Sequence, residues 1–250
     1  MTYPPRSGLR PPPPEGAPPL DRRSRILGGR LGAVVLSAVI LTACAGTPVP
    51  DWQLAAHGGL VRASEAYLSG DTRVAAAEFA RARGEVARTG RVDLAARVEL
   101  TRCAVQVASL EFEPCVGFER LRADAPPAEL AYADHLQGSL LDAARLALLP
   151  AAQQAAAAPG GAAERDLAVL QGIADPLSRL VAAGVWLRSG RASPAVMSLA
   201  VETASAQGWR RPLLAWLGVL RQRAEQAGDP VEAARIARRI TLVTGGSTTP

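Results

Sequence analysis

The sequence predicts an all-α protein built from antiparallel helical hairpins, and three observations lead there. From Asp51 to about Leu242, apolar residues recur at helical spacing with no sustained run of β-branched alternation. Glycine punctuation at Gly70-Asp71, Gly90, Ser189-Gly190, Gly208 and Gly228-Asp229 closes one periodic segment and opens the next. Three openings, Asp175-Pro176, Ser193-Pro194 and Asp229-Pro230, set a capping side chain before a proline at the first helical position.

Taken in chain order, helices are expected over 52–68, ending before Gly70, over 72–88, ending before Gly90, and over 92–110. A shorter piece is expected around 116–122, then a long helix over 128–149. Ala151 to Ala163 reads AAQQAAAAPGGAA, low in complexity and broken by Pro159-Gly160-Gly161. It is either a linker between two hairpin blocks or a helix end and loop within one continuous solenoid. The second half supplies helices over 163–173, 176–188, 194–206, 212–227 and 230–243, the last three entered or left through the caps and glycines named above. Long segments joined by two to four residues fold back on their neighbours, so the domain spans 51–243 and a frayed tail follows over 244–250.

Spacing sharpens the picture. Gly70 is followed by Ala75, Phe79 and Ala82, at offsets of five, nine and twelve. This resembles the tetratricopeptide repeat, in which a turn glycine precedes a small residue, an aromatic and a second small residue on the next helix. Gly228 is followed by Ala233 and Ala237, with Ile240 where a small residue is expected; Gly190 gives Ala195 and Leu199 and then breaks at Glu202. The resemblance implies a superhelix whose concave surface binds protein or peptide. The alternative is an Ala-rich helical bundle with glycine turns, since alanine fills 50 positions.

Charge excludes a nucleic-acid role. The chain carries +5 formally, with no lysine, so all 28 basic residues are arginine. Residues 1–43 hold six arginines against Glu15 and Asp21, a balance of +4, which leaves 22 arginines against 21 acids, or +1, from Cys44 onward. Without its first segment the chain lacks the basic footprint that DNA or RNA binding requires.

That first segment reads as an address. A Pro-rich tract over 1–20 leads to Arg22, Arg23, Arg25 and Arg30, then to thirteen mostly apolar residues, Leu31 to Ala43. The run is short for a bilayer span, which takes about 20 residues, and suits a signal-peptide core. It ends in Leu41-Thr42-Ala43-Cys44, which resembles the lipobox of bacterial lipoproteins. The resemblance implies removal of 1–43, acylation of Cys44 as the first mature residue, and a tether over 44–50. With Ala45 rather than Asp after the modified cysteine, the same resemblance implies the periplasmic face of the outer membrane. A plain transmembrane anchor or an ordinary secretory signal is the alternative. The region before the apolar run is about thirty residues, longer than usual, and leaves a start downstream of Met1 open.

Two cysteines then remain, Cys103 and Cys115. In an oxidising compartment an even remainder points to a disulfide, whose loop of about 13 residues would stabilise the fold by roughly 3 kcal/mol. Two free buried thiols or a redox pair are the other options, the latter disfavoured by eleven intervening residues.

No catalytic constellation assembles. His57 and His135 are the only histidines, neither beside a nucleophile at motif spacing, and both read as helix-surface residues. No metal-ligand pattern, phosphate loop or cofactor motif is present in the sequence. Glu111, Glu113 and Glu119 read as a solvated acidic face. An envelope enzyme acting on cell-wall material would have to draw on acids such as Glu65, Glu78 or Asp134, which no spacing marks as a pair. Trp186, Trp209 and Trp216, with Arg210 and Arg211, read first as core packing; if the chain has one partner surface, aromatic and arginine residues together favour this one. The expectation is a non-enzymatic scaffold for envelope proteins or peptides, held to the membrane by lipid, without metal or cofactor. A self-associating structural lipoprotein is the remaining alternative.

Overall fold

Helix ends, more than helix interiors, set the path of this chain. The computed structural model describes residues 48–245, and the lipobox, Cys44 and residues 246–250 lie outside them. The described residues form α1 (Asp51–Ser69), α2 (Thr72–Ala87), α3 (Val92–Ala108), α4 (Val116–Glu119), a 3-10 turn (Arg122–Asp124), α5 (Pro127–Leu136) and α6 (Ala143–Leu146). They continue through α7 (Ala151–Ala157), α8 (Ala163–Gly172), α9 (Pro176–Arg188), α10 (Pro194–Gln207), α11 (Arg210–Gln226) and α12 (Pro230–Val243). The protein is all-α.

The caps act as their residue types dictate. Asp71, Asp175, Ser193 and Asp229 accept from the backbone N–H groups of Val74, Ser178, Val196 and Glu232, satisfying donors that the first helical turn leaves free. At the other end of α1, Gly70 takes φ +96°, so that its N–H and that of Asp71 reach back to the Tyr67 and Ala66 carbonyls at 3.0 and 2.8 Å.

One expected helix divides. The segment 128–149 is interrupted after Leu136, where Gly138 at φ +78° lets the Gly138 and Ser139 N–H groups cap His135 and Asp134 at 2.9 and 3.0 Å. Asp142 then opens α6 by accepting from the Arg145 N–H at 2.8 Å. The low-complexity stretch holds the short helix α7 followed by a loop over 158–162. The piece near 116–122 is a single turn of α-helix with the 3-10 turn after it.

α3 is the central helix. It buries nine residues around its circumference and packs on α1, α2, α5 and α9. Its crossing with α9 is close because α9 offers Ala182, Ala183 and Gly184; a Cβ on Gly184 would overlap the Val107 carbonyl. The α1–α2 hairpin uses the same device, with a Cβ on Gly59 falling 3.3 Å from that of Ala82. α9, α10, α11 and α12 pack in succession, and α11 returns to touch α1. An open repeat array brings each unit against its neighbours only. Here α3 meets α9 and α1 meets α11, which is how a closed bundle packs. Repeat-like packing is clearest in the first hairpin, where Ala75, Phe79 and Ala82 are buried, while Ala195 is exposed and Ala233 and Ala237 are half-buried.

Cys103 and Cys115 are joined by a disulfide, Cα–Cα 5.9 Å. It straddles the turn after α3, where Leu110 sits at φ +61°, a left-handed conformation that a side chain disfavours.

Candidate functional site

The structure takes the tryptophans of the expected partner surface into the core. Trp186, Trp209 and Trp216 are 2%, 8% and 0% exposed. Each indole N–H is satisfied internally: Trp186 donates to the Ala156 carbonyl at 2.8 Å, Trp216 to the Ala108 carbonyl at 3.2 Å, and Trp209 to the Glu65 carboxylate at 3.1 Å. Trp209 and Trp216 are two helical turns apart and share a face with Leu213, which turns inward. Arg211 is a clamp rather than a contact residue. It donates to the Tyr67 carbonyl at 2.8 Å, Thr72 Oγ1 at 2.7 Å and Glu111 at 3.3 Å, and its guanidinium lies 4.3 Å over the Tyr67 ring. Burial, with Glu111 beside it, holds the Tyr67 phenol above its ordinary pKa. Of the five residues only Arg210 is exposed, beside the Gly70 turn.

His57 is exposed on α1, but His135 is buried, a correction to its surface reading. Its Nε2 lies 3.0 Å from Gln153 Oε1, and Gln153 donates in turn to the Ser178 carbonyl at 2.8 Å. Burial lowers the His135 pKa, and the Gln153 bond opposes that only in part.

Two of the three acids that a cell-wall enzyme would draw on are held in ion pairs, and the third, Glu65, accepts from the Trp209 indole. Glu78 is bound by Arg62 at 2.9 Å, and Asp134 by Arg122 at 3.2 Å and by Arg145. Of the acidic face, Glu111 pairs with Arg211 and Glu119 with Arg122, while Glu113 is exposed. Among the described residues no group of three His, Cys, Asp or Glu side chains is placed to hold a metal ion.

What the fold leaves open is a groove along α1 and α3. Ala56, Gly59, Ala63, Tyr67 and Leu68 are the buried residues of α1. His57, Leu60, Val61 and Ser64 make a second stripe at three- and four-residue spacing, and this stripe lines a cavity of about 490 Å³ with the buried Leu68 and with Pro176, Leu177 and Trp209. A second cavity of about 470 Å³ lies between α3, α5 and the Leu148-Leu149-Pro150 segment. Leu60 and Thr101 line both, so the two are neighbours. Val61 stands 56% exposed at the first and Leu148 43% exposed at the second.

Sequence reasoning missed this groove. Its lining comes from α1, α3, α5, the Leu148-Leu149-Pro150 segment and the start of α9, which no local window of sequence brings together. No protein-family model matches the chain, and no curated protein or solved structure matches it.

Proposed function

We propose that this protein is a lipid-anchored envelope scaffold that binds protein or peptide partners through the α1–α3 groove, on the periplasmic face of the outer membrane. The observation that carries the binding half is the groove itself: two neighbouring, mostly apolar cavities, one lined by the exposed Val61 and the other by the exposed Leu148. The anchoring half is supported by the resemblance of Leu41-Thr42-Ala43-Cys44 to a lipobox and by Ala45 after it. Chemistry is not part of the reading, because Glu78 and Asp134 are engaged by arginines and Glu65 by Trp209.

The test is chemical cross-linking in whole cells, comparing the wild type with Cys44→Ala. The wild type should fractionate with the outer membrane and capture a defined envelope protein, and Cys44→Ala should fail to reach the outer membrane and lose that partner. A Cys44→Ala chain that still fractionates with the outer membrane removes the lipid anchor. Wild type recovered alone from the outer membrane turns the reading toward self-association or an enzyme.

A further inference from the structure

We infer that the α1–α3 groove takes a cationic segment bearing apolar side chains, selected by Glu129, Glu65 and Asp175. The inference rests on the proposal that this groove is the binding surface and adds the chemistry of its occupant. Three carboxylates line the groove against one cation, Arg97. Arg97 is already committed: its Nε donates to Glu129 Oε1 at 2.6 Å, and its side chain is 62% exposed. Glu129 itself is 5% exposed, and its second oxygen is buried with no hydrogen-bond partner. An unmade bond on a buried carboxylate is costly, and native proteins rarely leave one without a reason.

The other two acids are no better neutralised. Both are exposed; Glu65 accepts from the neutral indole of Trp209 and Asp175 from the Ser178 N–H at the start of α9, and among the described residues neither is paired with a cation. Apolar walls at Leu60, Val61 and Leu149 lower the local dielectric and strengthen the attraction of these carboxylates for a positive group. An acidic segment would be repelled from the same surface. A segment with lysine or arginine between apolar residues meets both demands, filling the cavities and offsetting the excess of three carboxylates over one cation.

The test uses the full chain carrying Cys44→Ala and two synthetic amphipathic peptides with one leucine stripe in common, lysine at the polar positions of one and glutamate at those of the other. Binding is read by anisotropy of a label on the peptide. The lysine peptide should bind about tenfold tighter at low salt, with the advantage shrinking as salt rises. The combined variant Glu65→Gln, Glu129→Gln, Asp175→Asn should bring the two peptides to parity. Gln and Asn keep an acceptor for the Trp209 and Ser178 N–H groups, and if the variant fails to fold, the charge preference and salt dependence of the parent still decide. Equal binding of both peptides, lost on Val61→Asp, overturns the inference and leaves the groove reading standing. A lysine preference that the variant keeps overturns it too, as does failure of both peptides to bind.

Discussion

Asp166 and Arg191 show how single residues hold this fold together far from their place in the chain. Arg191 grips the Asp166 carboxylate with two bonds, at 2.9 and 2.7 Å, and donates to the Ala156 and Ala158 carbonyls at 3.1 and 2.8 Å. Its guanidinium also stacks 4.1 Å over Trp186. It thereby closes the exposed carbonyl end of α7 and fixes the Pro159-Gly160-Gly161 loop. Arg191→Ala would strand a carboxylate that is 5% exposed, and should cost about 2–4 kcal/mol in urea unfolding, with Arg191→Lys recovering only part. The Arg191 bonds hold the Asp166 pKa below its ordinary 3.8, so this stabilisation is complete above that value, declines below it, and is lost as pH falls through the lower folded value. His135 acts in a higher window. Its pKa is depressed below 6.5 by burial, so the unfolded chain takes up a proton more readily than the folded one. Stability should fall as pH drops through 6.5 toward the depressed folded value, and His135→Gln should flatten that dependence. A wild-type profile flat across the range would show that His135 is not buried neutral.

At the scale of elements, close helix crossings are set by where side chains are missing. Gly184 of α9 lies against the Val107 backbone, which cannot rotate away, so Gly184→Ala should cost about 2–3 kcal/mol. Gly218 of α11 has nothing within 4 Å of a built Cβ, so Gly218→Ala should stabilise by about 0.5–1 kcal/mol through helix propensity alone. Thermal or urea unfolding of the pair separates crossing geometry from propensity, and similar shifts of one sign would contradict the packing described. Legibility from sequence divides the same way. α1, α2, α9, α10 and α12 were readable because their ends carry local signals: a glycine at the close, an Asp or Ser before the first turn. The break inside 128–149 had such a signal in Gly138 and Asp142, but the apolar periodicity continued across it and outweighed them. α7 had none. Its sequence is low in complexity, and what orders it is Gln153 beneath His135 and Arg191 from beyond α9, partners that no local window contains.

For the molecule as a whole, the decisive feature is that the chain closes on itself. α11 returns to α1 through the Trp209–Glu65 and Arg211–Tyr67 bonds, which converts the tryptophan-arginine cluster from a candidate surface into an internal seam. That cluster reads first as core packing and only conditionally as a partner surface, because aromatic and arginine residues serve both interfaces and cores, and only the tertiary arrangement distinguishes the two. Closure leaves the second stripe of α1 facing outward, and with it the groove that α3, α5 and the start of α9 complete. The central claim is that this groove meets a partner in the cell envelope. It is tested most directly by placing a photoreactive residue at Val61, with Val231 on α12 as the control, and irradiating living cells. A discrete adduct formed from Val61 and not from Val231 is the predicted result; no adduct from Val61, or the same adducts from both positions, would contradict it.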